Sequence, residues 1–207
     1  MVIQIKKGRT IFWGACAIMA AAAAIFWGSE ARFHKRTEGQ ATMNYVTFQT
    51  DNPALDFTFE YPGTGWNPVE SRGRRETYDV VFLGGEVDER TRFRTIIHIT
   101  VKPLPEGKTA AALLKAYLER ASVFRKFKAS SQTGLDVGGV KAQGALFEYE
   151  DYPLHQINPQ AIPLKGRRIF FMRGGRSYEI SFVTLVSRYE KYASVLDHLI
   201  KTFQFKK

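Results

Sequence analysis

The 207-residue chain is 44% hydrophobic and 14% aromatic with a net charge of +10, enough apolar material for one medium domain with its own core and a short extra segment. Six Lys/Arg face two acids before residue 41, and 24 face 18 after it, so both parts are basic and suit anionic partners such as lipid headgroups, acidic proteins or nucleic acid. A single cysteine, Cys16, excludes an intrachain disulfide, and His34, His98, His155 and His198 have no ligand spacing, so no metal site and no cofactor is expected.

Residues 1–10 form a basic tail with Lys6, Lys7 and Arg9, and residues 11–28 read as a transmembrane anchor. Its stretch 11–27 holds 17 uncharged residues, which as a helix span about 26 Å, the short end of what a bilayer core needs. Phe12-Trp13 and Phe26-Trp27 bracket it, where amphipathic rings favour the two membrane interfaces. A cleavable signal peptide, with Ser29-Glu30-Ala31 before the cut, is a second reading, and a lipoprotein at Cys16 a third. Basic residues flank the span on both sides, so orientation rests on the basic tail ahead of the first apolar stretch. This places the C-terminal domain outside the cytoplasm, in periplasm or lumen. Residues 29–43 are a polar linker in which Arg32, Lys35 and Arg36 lie within reach of anionic lipid headgroups.

The domain proper is expected over 44–207. Residues 45–50 alternate as a strand, Asp51-Asn52-Pro53 is a turn, and Phe57, Phe59 and Tyr61 alternate to Pro62. Trp66 follows a Gly-Thr-Gly turn, for core packing or, alternatively, for stacking on a ligand. Residues 67–76 read as a basic loop with Arg72, Arg74 and Arg75, and residues 78–83 as a strand. Arg90, Arg92 and Arg94 recur at every second residue, so extended backbone would align them as an anion-facing stripe. The alternative is a solvated face meeting Glu86, Asp88 and Glu89.

Thr109 is a fair N-cap for a helix from Ala110 to about Phe124, with Leu113, Leu114, Tyr117, Leu118 and Ala121 on its buried stripe. Arg125, Lys126 and Lys128 would then sit at its C-terminus, where the helix dipole favours cations. A strand pair follows around Gly138-Gly139, then a long irregular stretch over 151–163 with three prolines. Residues 168–185, RIFFMRGGRSYEISFVTL, form a hairpin whose Gly174-Gly175 loop suits a type I′ turn. That register sets Arg173 against Arg176, and like charges directly opposite call for an anion or acidic partner between them. Ile169, Phe171, Tyr178, Ile180 and Phe182 share its core face, and the other face, with Phe170, Met172 and Val183, is expected to be covered as well. Residues 187–201 read as an amphipathic helix, and Phe203 and Phe205 as a last strand. The predicted order is four strands, a helix, four strands, a helix and a final strand, an α+β fold on an antiparallel sheet.

The chain has no P-loop, dinucleotide fingerprint, nucleophile elbow, paired-cysteine motif or EF-hand loop. FTFEYPGTGW at 57–66, IHITVKPLPEGKT at 97–109, FEYE at 147–150, the hairpin itself and YEKYASVLDHLIKTFQF at 189–205 resemble the PsbP-like family. These are relatives of the extrinsic subunit of the photosystem II oxygen-evolving complex. The resemblance implies a Mog1/PsbP-like α/β/α sandwich, an antiparallel sheet between helices. It also implies a non-enzymatic protein that docks to a membrane complex away from the cytoplasm, or assists its assembly, photosystem-related if the organism is photosynthetic. Partner-binding candidates are Arg72, Arg74, Arg75, Arg90, Arg92, Arg94, Arg173 and Arg176. The alternative function is an extracytoplasmic domain binding or sensing a small ligand or metal, with a pocket near Trp66 and the 151–163 stretch. Nucleic acid is not expected for a domain outside the cytoplasm.

Overall fold

A computed structural model describes residues 43–73, 76–84, 87–152 and 160–206. The predicted tail, anchor and linker, with Cys16, Arg32, Lys35 and Arg36, lie outside the described residues, as do Arg74 and Arg75. No described helix is long and apolar enough to cross a membrane.

The described residues fold around a seven-stranded antiparallel sheet. The strands in chain order are β1 (Tyr45–Thr47), β2 (Phe57–Thr58), β3 (Glu60–Pro62), β4 (Asn67–Arg72), β5 (Tyr78–Gly84) and β6 (Thr95–Pro103), then helix α1 (Ala110–Ala121). After it come β7 (Arg125–Val137), β8 (Val140–Asp151), β9 (Ile162–Arg173) and β10 (Arg176–Leu185). A 3₁₀ turn (Val186–Arg188), helix α2 (Tyr189–Thr202) and β11 (Gln204–Phe205) close the chain. The large sheet has the order β4-β5-β6-β10-β9-β8-β7, and two small pairs, β1 with β3 and β2 with β11, stand beside it.

The β9–β10 hairpin has the predicted register: Arg176 faces Arg173, Tyr178 faces Phe171 and Ile180 faces Ile169. Gly174 and Gly175 take φ values of 57° and 74°, the left-handed pair that a type I′ turn requires. Both of its faces are covered, as expected. On one side Ile169, Phe171, Tyr178, Ile180 and Phe182 join Phe57, Phe59, Phe82 and Phe203 and the α2 residues Tyr192, Val195, Leu196 and Leu199 in the main core. On the other, Phe170 and Ala145 meet Leu114, with Tyr117 and Leu118 of α1 packed against them. One helix on each face of an antiparallel sheet is thus what the two-sided burial demands.

Several boundaries differ from those predicted. Residues 67–72, expected as loop, form the edge strand β4, where Pro68 is tolerated because an edge strand need not donate from every residue. Thr109 does cap α1, its hydroxyl accepting from Ala112 N at 3.1 Å, but α1 ends at Ala121. Arg125, Lys126 and Lys128 therefore belong to β7, and Glu150, not a helix dipole, holds the first two through Arg125 Nε at 2.7 Å and Lys126 Nζ at 2.6 Å.

Candidate functional site

The predicted arginines separate into two groups at opposite ends of the sheet. Arg72 ends β4 opposite Tyr78, and Arg176 starts β10 opposite Pro103, with Arg173 beside it at the hairpin tip. Arg90, Arg92 and Arg94 precede Thr95, at the other end of β6. The nine residues of β6 separate the two groups by about 26 Å.

Arg90, Arg92 and Arg94 lie on a turn and not on extended backbone, so alternation along a strand does not align them. Asp88 builds that turn. Its Oδ1 accepts from Thr91 N and from Thr91 Oγ1, each at 2.8 Å, its carbonyl accepts from Arg92 N at 2.7 Å, and its Oδ2 meets Arg188 at 3.2 Å. The hydrogen bonds from Thr91 hold the Asp88 carboxyl below the usual carboxylate range, with Arg188 adding to the effect. Arg92 adopts φ 57°, a left-handed conformation that costs a non-glycine residue about 1–2 kcal/mol. Phe93 between the arginines packs against the cluster of Phe147, Leu164, Val183 and Leu185. The result is a preorganised loop, pinned from inside by one carboxylate and one aromatic ring, with Arg90 and Arg92 exposed and Arg94 half-buried.

At the hairpin tip both arginines have partners within the chain. The Arg173 guanidinium sits 4.1 Å over the Phe205 ring, and Arg176 donates to the Ala54 carbonyl at 2.9 Å. Two residues along β10 from Arg176, Tyr178 donates to Asp56 at 2.8 Å. Burial, then Asp56, raises the Tyr178 hydroxyl well above its ordinary pKa, with Arg176 and Arg173 opposing. An internal acid therefore lies beside the paired cations. Arg72 packs at 5.7 Å over the Tyr78 ring.

Trp66 is 4% exposed. It meets Tyr192 edge-on at 6.0 Å, and it lies so close to Gly84 that a Cβ there would overlap its indole. It is a core residue immediately before β4, a strand that lies five strand spacings from β8, about 24 Å. In the 151–163 stretch, with which Trp66 was expected to form a pocket, residues 153–159 lie outside the described residues. Among the described residues no three His, Cys, Asp or Glu side chains converge as metal ligands.

A polar network that the sequence did not reveal crosses four strands on the α1 side of the sheet. Asp79 Oδ1 lies 2.8 Å from His98 Nε2 and accepts from Thr100 at 2.7 Å. On the neighbouring strands Arg168 pairs with Glu179, Lys102 Nζ approaches Glu179 at 3.5 Å, and Arg168 stacks 4.2 Å over the Tyr117 ring. Arg168 and Glu179 side chains are each 17% exposed. Burial opposes ionisation of Glu179, and Arg168, Lys102 and His98 more than offset it, holding the carboxyl below its usual range. For Asp79, likewise, burial raises the pKa but the hydrogen bonds from His98 and Thr100 prevail and lower it. Arg168 Nε is buried without a hydrogen-bond partner. The signal available in the sequence was alternation: His98, Thr100 and Lys102 interleave with Ile97, Ile99 and Val101, whose side chains fill the opposite face.

No protein-family model and no curated protein sequence matches the chain. Solved structures do. LpqN of Mycobacterium tuberculosis, described as involved in cell envelope biogenesis, is similar with a TM-score of 0.51 at 12% identity over 79% of this chain and 91% of its own. The Ran-binding protein Mog1p of Saccharomyces cerevisiae is similar with a TM-score of 0.50 at 11% identity over 79% of this chain and 96% of its own. The cyanobacterial PsbP of Synechocystis has a TM-score of 0.44 at 16% identity over 83% and 98%. With one helix on each face of an antiparallel sheet and this likeness to Mog1p over nearly all of its length, the chain has the Mog1/PsbP-like fold.

Proposed function

We propose that this protein is a non-catalytic binding domain, tethered to a membrane by residues 11–28 and held outside the cytoplasm, which docks to a membrane protein complex or assists its assembly. The Asp88-pinned loop carries the reading. A loop that accepts left-handed strain at Arg92 and anchors itself through Thr91, Phe93 and Arg188 presents its basic side chains with little further ordering to be lost on binding. An acidic surface on the partner complements it, and Arg32, Lys35 and Arg36 would meet anionic headgroups at the membrane. Protein binding is also what the name of Mog1p describes for that protein, and the arginines at the hairpin tip, satisfied internally, are assigned to stability.

The triple variant Arg90→Glu/Arg92→Glu/Arg94→Glu is expected to lower recovery of the partner complex about tenfold or more. Arg173→Glu/Arg176→Glu is expected to lower the melting temperature while leaving the recovery of folded protein with its partner unchanged. Co-purification of tagged full-length protein, with thermal melts of each variant, checks both. Equal recovery for the folded triple variant and the parent would overturn the assignment of the loop.

A further inference from the structure

The two edges of the seven-stranded sheet are built differently. β4 is six residues long and carries Pro68 and Glu70, a proline and a charge of the kind that protect an edge from further pairing. β7 is 13 residues long, about 40 Å of edge, and among the described residues no strand pairs with its outer side. Its pairing with β8 is regular from Lys128 opposite Glu148 to Gln132 opposite Gly144, and register shifts bound this window on both sides. Within the window Ala129, Ser130 and Ser131 are small, uncharged and exposed. The bulges and Lys128 confine pairing to this short stretch, and Ala129, Ser130 and Ser131 carry neither the proline nor the charge that would block it.

We propose that β7 pairs antiparallel with β7 of a second copy of this chain, about a twofold axis at the 129–131 window. The charge pattern selects this occupant and this direction. Arg125, Lys126 and Lys128 lie at one end of β7 and Asp136 at the other, so an antiparallel pair sets the basic end of each copy beside the acidic end of the other. A parallel pair would set cation against cation, which is unfavourable. Centred on Ser130, the pairing opposes Lys128 to Gln132 at the ends of the window, with no like charges opposed. A twofold contact of this kind closes on itself, giving a dimer and not a fibre. A single strand pair buries less surface than a permanent interface, so the dimer is weak in dilute solution and favoured where copies are concentrated.

The test uses full-length protein with Cys16→Ser, carrying Ala129→Cys, Ser130→Cys or Ser131→Cys one at a time, oxidised with copper phenanthroline. Ser71→Cys, exposed on the protected edge β4, is the control. At least one of the three should form a disulfide-linked dimer about tenfold or more faster than the control, because residues facing across an antiparallel pair come within disulfide reach. Independently, Ser130→Lys in the parent chain places two cations across the axis and should weaken the dimer about tenfold in sedimentation equilibrium. If none of the three cysteines outpaces Ser71→Cys, the proposal is overturned; that result would leave the edge to a strand of a different protein, or to none.

Discussion

Glu179→Ala is expected to lower the unfolding free energy by about 3–5 kcal/mol, the cost of leaving a buried cation unpaired. Arg168 sits beneath Tyr117 with its Nε already without a hydrogen-bond partner, and Glu179 supplies its ion pair. Removing that carboxylate strands the guanidinium against α1 and the sheet. Replacing both partners by apolar residues of similar volume, Arg168→Met/Glu179→Leu, should cost far less, since neither member of the pair is then left as an unpaired buried charge. Chemical denaturation of the two variants beside the parent checks this, and a loss below about 1 kcal/mol for Glu179→Ala would mean that the pair behaves as an exposed one. The same pair sets an acid limit. Glu179 and Asp79 both have folded pKa values below their usual range, so each stabilises the fold above its unfolded pKa near ~4 and loses that contribution as pH falls through the depressed folded value. Glu179→Gln should therefore flatten the decline in stability below about pH 4.

Gly166→Ala should destabilise the fold by about 3 kcal/mol or more, an overpacking effect with no cheap escape. Gly166 is paired with Phe147 of β8 on one side and Val183 of β10 on the other. A Cβ at this position would overlap the Phe182 carbonyl oxygen and come within 2.7 Å of Phe147 Cζ. A side chain can rotate away from an added methyl group, but a carbonyl oxygen in the middle of a sheet moves only with its strand. Since Phe182 and Phe147 lie in the apolar clusters on opposite faces, a shift there loosens both layers. A thermal melt within a few degrees of the parent would contradict this packing.

The hairpin at 168–185 was legible because each of its signals pointed the same way. The Gly-Gly dipeptide fixed the turn, and the period-2 pattern then fixed every opposed pair. Of the two roles open to Trp66 in the sequence, the structure shows the packing one, and its partners Gly84 and Tyr192 lie beyond the reach of local pattern. The arginines at 90–94 illustrate the opposite case. Spacing by two aligns side chains only on extended backbone, and Asp88 with Thr91, both turn formers, folds that stretch instead. Those two residues were in view, and turn chemistry outweighed periodicity. Arg173 and Arg176 were opposed as expected, but Asp56, Phe205 and Ala54, which surround them, come from distant parts of the chain. The Arg168–Glu179 and Asp79–His98 contacts likewise join strands whose neighbourhood only the sheet order reveals. Local pattern thus carried the elements, and tertiary pairing decided which polar residues act together.

The most direct test of the docking reading is cross-linking of tagged full-length protein in its native membrane, followed by affinity purification and identification of what accompanies it. The expected result is one defined membrane protein complex, recovered with the parent and depleted with Arg90→Glu/Arg92→Glu/Arg94→Glu. Recovery of the protein without any such complex, under conditions where the parent is folded and membrane-associated, would contradict the account.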